Sequence, residues 1–72
     1  MAITQEMIKN WFTYHSPKTE DIPAFTAIRE HGLLLAKVIL ENTPASADQT
    51  VAIRHVREAV MNANAAIACG GK

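Results

Sequence analysis

The sequence predicts an all-α fold: a short N-terminal helix followed by a long antiparallel helical hairpin, completed by self-association. Three observations lead there. Two stretches of about 20 residues repeat apolar side chains at three- and four-residue intervals. The connection between them is short, and helices joined by a few residues fold back antiparallel. Finally, a chain of 72 residues folding alone removes only about 60% of its unfolded surface from water. Its one cysteine, Cys69, permits neither an internal disulfide nor a CxxC zinc pair. Of the usual remedies for a thin core, oligomerisation remains.

The first helix is expected over about residues 4–13. Thr4 supplies an N-cap, and Ile3 and Ile8 are placed as the two arms of a hydrophobic staple. Met7, Ile8, Trp11 and Phe12 share one face, so Trp11 and Phe12 are expected to anchor this helix in the core. Residues 14–22, YHSPKTEDI, have the composition of an ordered turn. The second helix is expected from about Pro23 to Asn42. Proline suits a first helical turn, Asp21 adds charge at the positive end of the dipole, and Asn42 suits the left-handed conformation before Pro44.

The third helix is expected over about 46–69, opened by a Ser46/Gln49 capping box and closed by Gly70 and Gly71. The predicted seam pairs Phe25, Ile28, Gly32, Leu35 and Ile39 with Ile53, Val56, Val60, Ala63 and Ile67. Gly32 within it implies either a close neighbour or a kink. Leu33, Leu34, Val38 and Leu40 fall outside the seam. A second subunit is their natural cover.

Several function classes are disfavoured. The first residues lack the pattern of a signal peptide, and no apolar run approaches the roughly 20 residues of a membrane span. Seven Lys plus Arg balance seven Asp plus Glu, so no uniform field draws the chain onto DNA or a membrane. No nucleotide-triphosphate loop, nucleophile elbow or zinc-protease motif is present, so no enzyme activity is expected. His15, His31 and His55 do not have metal-ligand spacing, so neither metal nor cofactor is expected.

The end of the first helix and the loop after it are the most suggestive of a ligand, beside the plainer reading that their rings only anchor that helix. Trp11, Phe12, Tyr14 and His15 gather four rings just ahead of Ser16, Pro17 and Lys18. Aromatic faces stack on nucleobases, each worth about 1–3 kcal/mol, and basic groups then meet phosphates. Tyr14 and His15 lie past the periodic face and are freer for such a role. Arg29, Lys37, Arg54 and Arg57 are the helical cations, while Asn62 and Asn64 are unusual in an alanine-rich helix.

These segments resemble a known family. Tyr14-His15-Ser16-Pro17, Ala27-Ile28-Arg29, Pro44-Ala45-Ser46, Ala52-Ile53-Arg54 and Met61 to Ala68 are similar to the phage anti-CBASS cyclic-nucleotide sponges. That family shares its helical hairpin with the Thoeris anti-defence sponges. The resemblance implies a phage protein of the host cytoplasm, a homohexamer that binds cyclic dinucleotides and cyclic trinucleotides without cleaving them. It implies Tyr14, His15, Pro17 and Arg29 as ligand-binding residues, with Lys18 by proximity. A second, trinucleotide-type pocket would draw on Arg54, Arg57 and Asn64. The rival expectation is an oligomeric adaptor with no nucleotide ligand, in which the aromatic turn only locks the first helix to the hairpin.

Overall fold

The structure, a computed structural model, describes residues 2–72. Three α-helices follow one another: α1 (Gln5–Trp11), α2 (Ile22–Asn42) and α3 (Ala47–Ala68), with a single 3₁₀ turn (Thr19–Asp21) ahead of α2. The described residues contain no strand. Helices α2 and α3, 21 and 22 residues long, pack against each other as the hairpin.

Local chemistry explains most boundaries. The Thr4 hydroxyl accepts from the Met7 N–H, and the Ser46 hydroxyl accepts from the Gln49 N–H, so each helix starts where a side chain satisfies an orphan donor. Helix α3 ends in a Schellman turn. The Gly71 N–H donates to Ala66 O at 2.8 Å and the Gly70 N–H to Ile67 O at 3.2 Å, with φ of 67° and 77° at Gly70 and Gly71. Only residues without a Cβ adopt two such angles in succession without strain.

Four details depart from the sequence-based expectations. Helix α1 stops at Trp11 rather than near Thr13, with Phe12 as its C-cap. Helix α2 begins one residue before Pro23. Asn42 is not left-handed, since no described non-glycine residue has positive φ. Instead its side-chain amide donates to Val38 O at 2.8 Å and closes the last turn from within. The Gln49 side chain does not complete a capping box. Its amide donates to Thr43 O at 3.0 Å and Thr43 Oγ1 at 3.1 Å, tying the interhelical loop to α3.

The seam is the main interior feature. Phe25, Ile28, Gly32, Ala36 and Ile39 of α2, and Ile53, Val56, Val60, Ala63 and Ile67 of α3, are half-buried. Ala36 takes the place expected of Leu35, which is 50% exposed. At about 100° per residue both lie about 50° from the line between Gly32 and Ile39, on opposite sides of it, so the apolar repeat alone does not choose between them. At Gly32 the cause is close approach and not a kink. A Cβ there would lie 2.5 Å from Val60 Cγ2.

No described residue is fully buried. The exposed surface is 5986 Å², whereas a compact monomer of 7.9 kDa exposes about 4,400 Å². The radius of gyration, 15.2 Å, likewise exceeds the roughly 11 Å of a compact chain this long. The surplus of about 1,600 Å² equals two standard interface patches of about 800 Å² each. Exposed apolar side chains stand on both sides of the hairpin, with Leu33 and Leu40 on one flank and Leu34, Leu35 and Val38 on the other, and also outside it at Ile3, Phe12 and Tyr14.

Replacing Gly32 by alanine tests the seam. Better helix propensity contributes about 1 kcal/mol, but a β-branched Val60 has one comfortable rotamer, and overpacking costs about 1–3 kcal/mol. Gly32→Ala should lower the melting temperature in wild type. In a Val60→Ala background the same change should cost less or stabilise, which a double-mutant cycle of thermal unfolding measures.

Candidate ligand-binding site

The open end of the hairpin, where α2 begins and α3 ends, is closed off by the segment between α1 and α2. Three hydrogen bonds position it. The Asn10 side-chain amide donates to Cys69 O at 3.2 Å, and the Trp11 indole N–H donates to Lys72 O at 3.1 Å. His15 Nε2 lies 2.7 Å from Asn10 O. A carbonyl oxygen only accepts, so Nε2 carries the proton and Nδ1 is left as the ring's other nitrogen. The Schellman turn matters here, because it fixes the tail whose carbonyls receive Asn10 and Trp11.

Trp11 and Phe12 are not core anchors. Phe12 is 85% exposed, and Trp11, at 43%, is held through its indole N–H as much as by packing. Helix α1 is too short to bury a face and is tethered at its C-terminal end instead.

Between the turn and the hairpin lies a cavity of about 400 Å³. Tyr14, His15, Ser16, Pro17 and Lys18 form its outer wall, Asp21 and Phe25 the α2 side, and Ile67 to Gly70 the α3 side. Tyr14 is 82% exposed, so its ring is free to stack. The Lys18 carbonyl accepts the Asp21 N–H at 2.9 Å, which orders the backbone beneath Lys18. The Asp21 side chain does not cap α2 and leaves its carboxylate on the cavity wall.

Four of the residues singled out from sequence, Tyr14, His15, Pro17 and Lys18, thus line one cavity. Arg29 does not line it. It lines a shallower hollow of about 300 Å³ that shares Pro17 and Phe25 with the first. Arg54 and Arg57 are exposed on α3 and line neither. At about 100° per residue they nonetheless fall on the same flank of the hairpin as Arg29. Asn64 is half-buried, and its Oδ1 is enclosed without a hydrogen-bond partner.

Asp21, Phe25 and the Ile67 to Gly70 wall were not singled out as site residues. Phe25 was assigned to the seam and Asp21 to the helix dipole, and each also faces the cavity. No local signal marks the α3 wall, since its position depends on how the tail turns. Among the described residues no group of three side chains is placed to hold a metal ion, and no helix is long and apolar enough to cross a membrane.

Over residues 5–68 the sequence matches the family described as Acb2/Tad1, hairpin domain. The chain belongs to this family. The match covers α1, the turn, α2 and α3 together, so the Acb2/Tad1 hairpin includes every wall of the cavity except the residues of the C-terminal turn. Membership carries the coarse role of the family, that of an anti-defence sponge. Neither the curated proteins nor the solved structures contain a significant match.

The tether makes a distinct prediction. His15→Ala removes the donor to Asn10 O, and hydrogen exchange of the α1 amides should speed up severalfold while exchange across the α2–α3 seam stays unchanged. His15→Gln, which retains an N–H donor, should restore part of the protection.

Proposed function

We propose that this Acb2/Tad1 hairpin protein binds cyclic dinucleotide immune signals, such as 3′,3′-cyclic GMP–AMP, and cyclic trinucleotides, and sequesters them without cleavage. In the cytoplasm of a phage-infected host, this would deny the signal to its effectors. The observation that supports the reading best is the exposed Tyr14 ring beside Lys18 at the mouth of a preformed cavity. Stacking on such a ring is sequence-tolerant and contributes about 1–3 kcal/mol per base, while a neighbouring ammonium group faces a phosphate.

The cavity of one chain is too open to surround a ligand with two bases and two phosphates. A cyclic dinucleotide has approximate twofold symmetry, as does an isologous pair of subunits. A second copy across the Arg29 flank would supply a second Tyr14, Lys18 and Arg29, and would cover Leu33 and Leu40. Such pairs building to a hexamer would use the surplus apolar surface. Arg54, Arg57 and Asn64, farther along α3, would belong to a separate trinucleotide pocket.

Isothermal titration with 3′,3′-cyclic GMP–AMP tests the reading. Wild type should bind, and Tyr14→Ala should weaken affinity by about 5- to 150-fold, the equivalent of one lost stacking contact. Nucleotide recovered after denaturing the complex should be intact. No heat at micromolar protein, or unchanged affinity in Tyr14→Ala, would favour an adaptor in which the aromatic turn only secures α1.

A further inference from the structure

One charged residue stands apart from the others. Among the seven Lys plus Arg and seven Asp plus Glu, Asp21 alone is half-buried, and every other one is exposed. Its carboxylate is bonded to no donor among the described residues. It does not cap α2, and the nearby donors of Asn10, Trp11 and His15 go to backbone carbonyls. A carboxylate partly withdrawn from water and left without a donor costs free energy, which an incoming donor recovers.

A second acceptor shares the cavity. Ala68, the last residue of α3, is half-buried and lines it too. The N–H groups of the C-terminal turn go to the Ala65, Ala66, Ile67 and Cys69 carbonyls, so the Ala68 carbonyl has no backbone donor among the described residues. Two rings, Tyr14 and Phe25, stand on the same walls. Flat faces beside unpaired acceptors suit a planar group with N–H donors along its edge.

We propose that Asp21 reads the Watson–Crick edge of guanine and makes guanine the preferred base of this cavity. The inference rests on the nucleotide reading given above and names which nucleotides that site selects. Guanine presents its N1–H and N2 amino group side by side, two donors that match the two oxygens of a carboxylate. Adenine presents one amino group next to N1, an acceptor, which sets lone pair against lone pair. A bidentate pair of this kind separates the right base from the wrong one by about 5- to 150-fold. The phosphodiester is kept from this position, because a carboxylate repels it, and Lys18 and Arg29 are the groups that would face it. Two copies enclosing one ligand would bring two Asp21 carboxylates, so the preference is graded. Both are satisfied by 3′,3′-cyclic di-GMP, one by 3′,3′-cyclic GMP–AMP and neither by 3′,3′-cyclic di-AMP.

Isothermal titration of the full chain with these three ligands tests the assignment. In wild type, each exchange of guanine for adenine should weaken binding by about fivefold or more. Asp21→Asn is isosteric at a position that makes no cap bond, so helix content by circular dichroism should be unchanged. Its amide offers one donor and one acceptor, the complement of adenine. The variant should therefore lose about tenfold or more in affinity for cyclic di-GMP while holding or gaining affinity for cyclic di-AMP. Equal affinities of wild type for the three ligands, or equal weakening of all three in Asp21→Asn, would overturn the proposal and leave nucleotide binding standing. An unchanged base preference in Asp21→Asn with a lower assembly mass would also overturn it, and would assign the carboxylate to a cation of a second copy. Failure of wild type to bind any of the three would overturn the nucleotide reading itself, and this assignment with it.

Discussion

Two helices packed as a hairpin can bury one stripe of each against the other, and no rearrangement of their side chains lets them bury more. That constraint shapes this molecule throughout. The stripe is as tight as it can be at its middle, where Gly32 leaves just enough space for Val60 Cγ2, yet no residue along it is fully withdrawn from water. Substituting larger seam residues would push the helices apart and would not deepen the core. The remaining apolar side chains are consequently divided between two flanks, which gives a small chain two faces to offer.

The same constraint explains why a cavity forms at the open end. At the loop end, Gln49 ties the four-residue connection down through Thr43, and little space remains. At the other end the helices have no covalent closure. There the Tyr14 to Lys18 turn, the start of α2 and the Schellman turn of α3 meet, each stabilised by its own hydrogen bonds. A cavity between three independently anchored backbones has its shape set before a ligand arrives, which lowers the ordering cost of binding.

Where a feature depends on residues close in sequence, the sequence was enough to read it. Thr4 and Ser46 cap the helices they precede, Gly70 and Gly71 stop α3, and the aromatic turn forms a cavity wall. Features set by distant contacts were not readable in this way. Leu35 and Ala36 both fit an apolar repeat, and only the packing of α3 against α2 puts alanine in the seam. Gln49 had a good local partner in the Ser46 N–H, but the loop carbonyl of Thr43 competed successfully. Phe12 looked like a core residue because its spacing is right, although α1 ends before it and no surface lies opposite. Phe25 and Asp21 had adequate local roles, so nothing in the sequence announced that they also face a cavity closed by residues more than 40 positions away.

Formal neutrality conceals how charge is arranged. Seven basic and seven acidic residues cancel, yet Arg29, Arg54 and Arg57 lie on one flank, while the open groove between α2 and α3 on the opposite flank, lined by Ile28, Leu35, Val56 and Ala59 among others, contains no Lys, Arg, Asp or Glu. At physiological ionic strength the influence of each guanidinium extends about 8 Å. A small anion seated on that flank would feel those charges, whereas at larger distances the balanced acids cancel them. An apolar groove asks the reverse of its surroundings, since a fixed cation at its centre would have to be desolvated on contact. Placing the arginines on one flank and an apolar groove on the other lets a single half-buried stripe support two surfaces with incompatible electrostatic needs.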